Sequence, residues 1–82
     1  MFGPKRPGQV IPQDKLKALA LFLEAAQKGH PRAMFNAANM LEYGDGVPQD
    51  VKSAFRWYQE ICRREPTNKE ALQKCRKLQA LI

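Results

Sequence analysis

Hydrophobic positions along the chain recur every three or four residues, in four separate runs. That spacing puts them on one face of an α-helix, and no stretch shows the alternation of a half-buried strand. In the first run Leu16, Leu19, Leu23 and Ala26 form the apolar stripe, with Ala18 and Phe22 beside it. Asp14 stands where an N-cap would, its carboxylate available to the free amides of the first turn, and Gly29 stands at the expected stop. Pro31 suits the first turn of a second helix. Its buried face is Ala33, Ala37, Met40 and Leu41, and Gly44-Asp45-Gly46 marks its end, with Gly44 suited to a left-handed position. Asp50 caps a third helix carrying Ala54, Trp57, Tyr58, Ile61 and Cys62. Glu65-Pro66-Thr67-Asn68 breaks it, and Thr67 followed by Glu70 is a capping-box pattern for a fourth. The pattern predicts an all-α domain over residues 11–82, with helices at about 14–28, 31–43, 50–63 and 67–80. An irregular tail over residues 1–10 precedes it, where Gly3, Pro4, Pro7 and Gly8 prevent a clean helix start.

The four runs are two copies of a pair. Ile-Pro-Gln-Asp at residues 11–14 returns as Val-Pro-Gln-Asp at residues 47–50, a shift of 36. The same shift carries Ala18 onto Ala54, Phe22 onto Tyr58, Glu24 onto Glu60, Leu21 onto Trp57 and Ala26 onto Cys62. The following helix repeats at a shift of 38, with Ala33 on Ala71, Ala37 on Cys75 and Met40 on Leu78. The loop before the last helix is therefore two residues longer in the second copy. Calling the helix after the Pro-Gln-Asp phrase B and the other A, the order is B-A-B-A.

These residues resemble the Sel1-like repeats, relatives of the tetratricopeptide repeats. The resemblance rests on Ala33, Asn36, Ala38, Met40, Gly44, Gly46, Val47, Asp50, Ala54, Trp57 and Tyr58. The upstream copy keeps Asp14, Ala18, Phe22, Ala25, Ala26 and Gly29. The repeat signature proper is Asp14, Ala18, Gly29, Ala33, Gly44, Gly46, Asp50, Ala54, Trp57 and Tyr58. The resemblance implies a short α/α solenoid of about two repeats, its four antiparallel helices presenting a concave face lined by the A helices. It also implies an adaptor or assembly subunit without catalysis. Glu65 stands where the first copy has Gly29, and Arg76 and Gln79 stand where it has Ala38 and Leu41. An arginine at the small-residue position marks the last helix as a solvated cap.

Charge refines the picture. The net charge of +6 divides into +4 over residues 1–32, −2 over residues 33–62 and +4 over residues 63–82. Basic ends can meet an acidic protein surface or nucleic acid. On the second helix Asn36, Asn39 and Tyr43 share a face; the repeat shift makes Lys74, Lys77 and Leu81 their equivalents on the fourth. These six residues are the candidate partner-binding stripe, with Trp57 and Tyr58 assigned to packing. The alternative is a basic subunit contacting phosphates through Arg63, Arg64, Lys69, Lys74, Arg76 and Lys77 in a ribonucleoprotein. Aromatic residues do not interleave with those cations as single-strand binding prefers.

Chemistry is sparse. The single histidine, His30, sits in a loop beside proline and reads as exposed, and Glu24, Glu42, Glu60, Glu65 and Glu70 read as scattered over polar helix faces. No nucleophile–base pair or phosphate-binding loop is present, so neither an enzyme nor a cofactor or metal is expected. Cys62 and Cys75 read as two packed thiols or as one disulfide. The first residues carry no apolar signal segment, which favours an intracellular setting. Two repeats are close to the minimum for a stable stack, and Leu78, Leu81 and Ile82 form an apolar end. At least one end is therefore expected to be covered by another protein, a second copy of the chain or a larger complex.

Overall fold

The computed structural model describes residues 12–82. Within them the chain forms four helices and no strand: α1 (Pro12–Gln27), α2 (Pro31–Tyr43), α3 (Val51–Arg64) and α4 (Lys69–Leu81). Each packs against the next, and the short joints between them make successive helices antiparallel. The shift of 38 read from the sequence carries the ends of α2 onto those of α4. The tail expected over residues 1–10, and Ile11, lie outside the described residues.

Helix α2 is covered on both sides, and so buries Ala33, Met34, Ala37, Ala38, Met40 and Leu41. The alanines keep the helices close, while Met34, Tyr58, Ile61 and Leu78 fill the spaces between them. The outer helices bury a narrower stripe: Leu19 and Ala26 on α1, and Ala71 and Leu78 on α4. Leu16, expected in the core, is 45% exposed, because among the described residues α1 has a helix on one side alone. Trp57 is only partly buried against the core, whereas its neighbour Tyr58 is wholly inside.

The joint between α2 and α3 explains the Val-Pro-Gln-Asp phrase. Gly44 adopts the left-handed conformation (φ 64°) and its N–H returns to the Met40 carbonyl. The Asp45 N–H donates to the same carbonyl, the Asp50 N–H to that of Leu41, and the Gln49 side-chain amide to that of Glu42. Val47 is buried beneath. Asp50 then caps α3, accepting from the Ser53 N–H (3.1 Å) and the Ser53 hydroxyl (2.8 Å). The carbonyls that a helix end leaves unpaired are thus satisfied by the residues that start the next helix.

Two expected caps differ. Helix α1 starts at Pro12, whose missing N–H costs nothing at a first helical position, so Asp14 falls inside the first turn. There its carboxylate still meets the positive end of the helix dipole. At α4 the cap is Asn68 rather than Thr67: its carbonyl accepts from the Ala71 N–H (3.1 Å) while its amide donates to Glu65 (3.0 Å). Asparagine makes the two bonds with separate acceptor and donor atoms, reaching in two directions where threonine has a single oxygen. The longer loop also removes the need for glycine. Gly29 leaves α1 at φ 93°, but Glu65 leaves α3 at φ −129°, open to any residue.

Candidate functional site

The candidate stripe starts in a groove between α1 and α2. Asn36, Asn39 and Tyr43 line it from α2, facing Lys15, Ala18 and Phe22 of α1, and it encloses about 700 Å³. Lys15 crosses its end to pair with Asp45 at 3.2 Å. That crossing depends on Gly46 (φ 73°), where a Cβ would lie 2.3 Å from the Lys15 Cγ.

Tyr43 joins the groove to α4. Tyr43 is 55% exposed, with the Lys74 Nζ 4.9 Å and the Lys77 Nζ 5.3 Å from its ring centroid, within cation–π range. Its hydroxyl accepts from Lys74 at 2.8 Å and from Lys77 at 3.4 Å. The two ammoniums hold the phenol below its usual pKa. Leu81, further along α4, is 68% exposed. The structure therefore brings five of the six candidates into one contiguous surface centred on Tyr43, with Leu81 on the same helix as the lysines.

What holds the lysines is Glu42, and it was missed in the sequence. Rather than lying on a polar face, its carboxylate is buried between α2, α3 and α4. Oε1 accepts from the Tyr58 hydroxyl at 2.9 Å and from Lys74 at 3.1 Å. Oε2 has the Lys77 ammonium at 3.0 Å, off a good hydrogen-bonding direction, so that pairing is chiefly electrostatic. Burial works to raise the Glu42 pKa, but Lys77, Lys74 and Tyr58 together outweigh it and the carboxyl lies below its usual range. Burial, helped by the facing carboxylate, pushes the Tyr58 phenol upward, so it stays a proton donor. The signal in the sequence was the change from Phe22 to Tyr58 between copies: a buried hydroxyl needs a partner, and Glu42 supplies it.

A second groove, of about 460 Å³, lies on the other side of the stack, where Trp57, Arg56 and Arg64 of α3 face Ala26 of α1 and Met34 of α2. Arg63 and Arg64, candidates for phosphate contact, both pair with Glu60 of their own helix. His30 is exposed at the start of α2 and its side chain makes no cap. Cys62 and Cys75 are free thiols with their sulfurs 3.5 Å apart. Among the described residues no cluster of side chains could hold a metal, and no helix is long and apolar enough to cross a membrane.

Comparison with known proteins places this arrangement. Residues 5–30 and 31–65 each match the Sel1 repeat family model, the boundary falling at the start of α2. The chain is 40% identical over 50 residues to the exopolysaccharide production negative regulator of Rhizobium meliloti (strain 1021), a match covering 61% of this chain and 19% of the relative. It is 42% identical over 50 residues to the protein of the same description from Rhizobium leguminosarum bv. viciae, again covering 61% of this chain and 19% of the relative. The match thus spans about a fifth of the length of these curated relatives. No solved structure matches the chain. Sel1 repeats generally mediate protein–protein interaction, and theirs is a scaffold family rather than an enzymatic one. With two adjacent repeats covering most of its length, this chain belongs to the Sel1 repeat family.

Proposed function

We propose that the chain is an adaptor or assembly subunit that holds a segment of another protein along Asn36, Asn39, Tyr43, Lys74, Lys77 and Leu81. The observation that carries this reading is Tyr43, an exposed aromatic ring clasped by two lysines at the mouth of a groove bearing two amide side chains. Aromatic anchors are the side chains on which protein interfaces concentrate their energy. Asn36 and Asn39 supply donors and acceptors for a bound backbone. Two ammoniums share one carboxylate at Glu42, so the α4 side retains a net positive charge and favours an acidic segment. The rhizobial relatives are negative regulators of exopolysaccharide production, a role that fits a chain holding a partner within a control assembly.

Contact with nucleic acid is the weaker reading. Arg63 and Arg64 are both engaged by Glu60 of their own helix, so these two candidate phosphate contacts are already neutralised in part. The test is a displayed random-peptide library panned against the chain. Selected peptides should be acidic and should lose at least tenfold in affinity on Asn39→Ala or Tyr43→Ala, while Lys52→Ala on the exposed face of α3 leaves affinity unchanged. Peptides indifferent to Asn39 and Tyr43 would refute the assignment of this face.

A further inference from the structure

We infer that Cys62 and Cys75 form a redox-modification site: a dithiol that a low-molecular-weight disulfide converts into an intramolecular bridge between α3 and α4. The sulfurs are 3.5 Å apart and already share a hydrogen bond across the helix interface. Closure to a disulfide requires an approach of about 1.5 Å, within reach of side-chain rotation and a small helix shift. The repeat shows what is special about the pair. Its counterparts one repeat earlier are Ala26 and Ala37, both fully inside the stack. Cys62 and Cys75 are only partly buried, because among the described residues nothing packs on the outer side of α4. The second copy thus replaces two sealed alanines with two partly buried cysteines.

The step balances without a metal or flavin. The Cys62 thiolate attacks one sulfur of the small disulfide, forming a mixed disulfide and expelling the first thiol. Cys75 then attacks the Cys62 sulfur; its proton passes to solvent base and the second thiol leaves. Two protein S–H bonds and one S–S bond break, one protein S–S bond forms, and the small disulfide is reduced to two thiols. Burial and the bond to Cys62 push the Cys75 thiol up to about 12, so the first attack falls to Cys62; once Cys62 is in the mixed disulfide its thiol no longer opposes ionisation of Cys75 for the second step. Lys74 precedes Cys75 in the chain, so the bridge would fix the helix that carries the Glu42 contacts.

The test uses the reduced chain and oxidised glutathione as the probe. Intact mass should fall by two hydrogen atoms, with both thiols lost, the chain monomeric, and peptide mapping linking Cys62 to Cys75. The oxidised form should melt at least about 4 °C above the reduced form, since the bridge restricts the unfolded chain. Cys75→Ser should trap a glutathione adduct on Cys62. Stable glutathione adducts on the unsubstituted chain, intermolecular dimers, or thiols that remain free under excess probe would overturn the proposal.

Discussion

Glu42→Leu is the most informative substitution. It removes the carboxylate but leaves its three partners in place, so the Tyr58 hydroxyl, buried with the rest of its side chain, loses its acceptor. A buried hydroxyl without a partner costs about 1–3 kcal/mol. Breaking a fully buried ion pair costs roughly 3–5 kcal/mol, but that figure does not apply here. The Lys74 and Lys77 side chains are 20% and 52% exposed, so both ammoniums can turn to water. Leucine also recovers some apolar burial. The net expectation is a loss of about 2 kcal/mol, a large fraction of the roughly 4–12 kcal/mol that stabilises a domain of this size. In thermal unfolding followed by circular dichroism the midpoint should drop by on the order of 10 °C. Tyr58→Phe alone should cost about 1 kcal/mol. Adding it to Glu42→Leu should cost almost nothing more, because the orphaned hydroxyl is then gone. A Glu42→Leu chain that melts within 2 °C of the parent, or strictly additive effects of the two changes, would refute the reasoning.

Further outcomes follow from the same geometry. Asp50→Ala removes the acceptor of two Ser53 bonds and should lower stability by about 1 kcal/mol in urea titrations, whereas Asp50→Asn should be nearly neutral. Gly46→Ala forces alanine into a left-handed conformation and displaces Lys15, so it should destabilise by about 1–2 kcal/mol. Because it also breaks the Lys15–Asp45 closure, it should weaken any peptide selected on the Asn36–Tyr43 groove. Folded Glu42 has a pKa below its ordinary value of 4.5. Its contribution is therefore fully present above that pH and is lost as pH falls through the folded value. Glu42→Gln should accordingly flatten the acid limb of the stability profile below pH 4.5 while lowering the neutral plateau, measured by denaturant unfolding across pH. If acid sensitivity is unchanged in the variant, other carboxylates set that limb.

Much of this fold was written in local patterns. Helix ends could be read where the cause lies within a few residues, as at Gly44 and Asp50. The caps read at Asp14 and Thr67 were misplaced: Pro12 starts α1 half a turn earlier, and Asn68, next to Thr67, caps α4. Leu16 shows a different limit: periodicity finds the apolar face but not how many helices cover it. The candidate site was legible in its outline, since the repeat shift alone brought Asn36, Asn39 and Tyr43 into register with Lys74, Lys77 and Leu81. Its centre was not. Glu42 meets Tyr58 and Lys74 across separations of 16 and 32 residues, beyond any local pattern.

The Glu42 ion pairs with Lys74 and Lys77 reach from α2 to α4, while the same carboxylate holds α3 through the Tyr58 hydroxyl. They act as a strut between helices that are not neighbours in the chain. A stack of pairwise contacts alone would flex like a row of hinges, each joint adding its own play. With α2 tied to α4, and the α2–α3 joint pinned by hydrogen bonds to three successive carbonyls, the angle between the two repeats is set before any partner arrives. On the face proposed to hold a partner, a guest would meet a surface of fixed width and spend little of its binding energy on ordering the host.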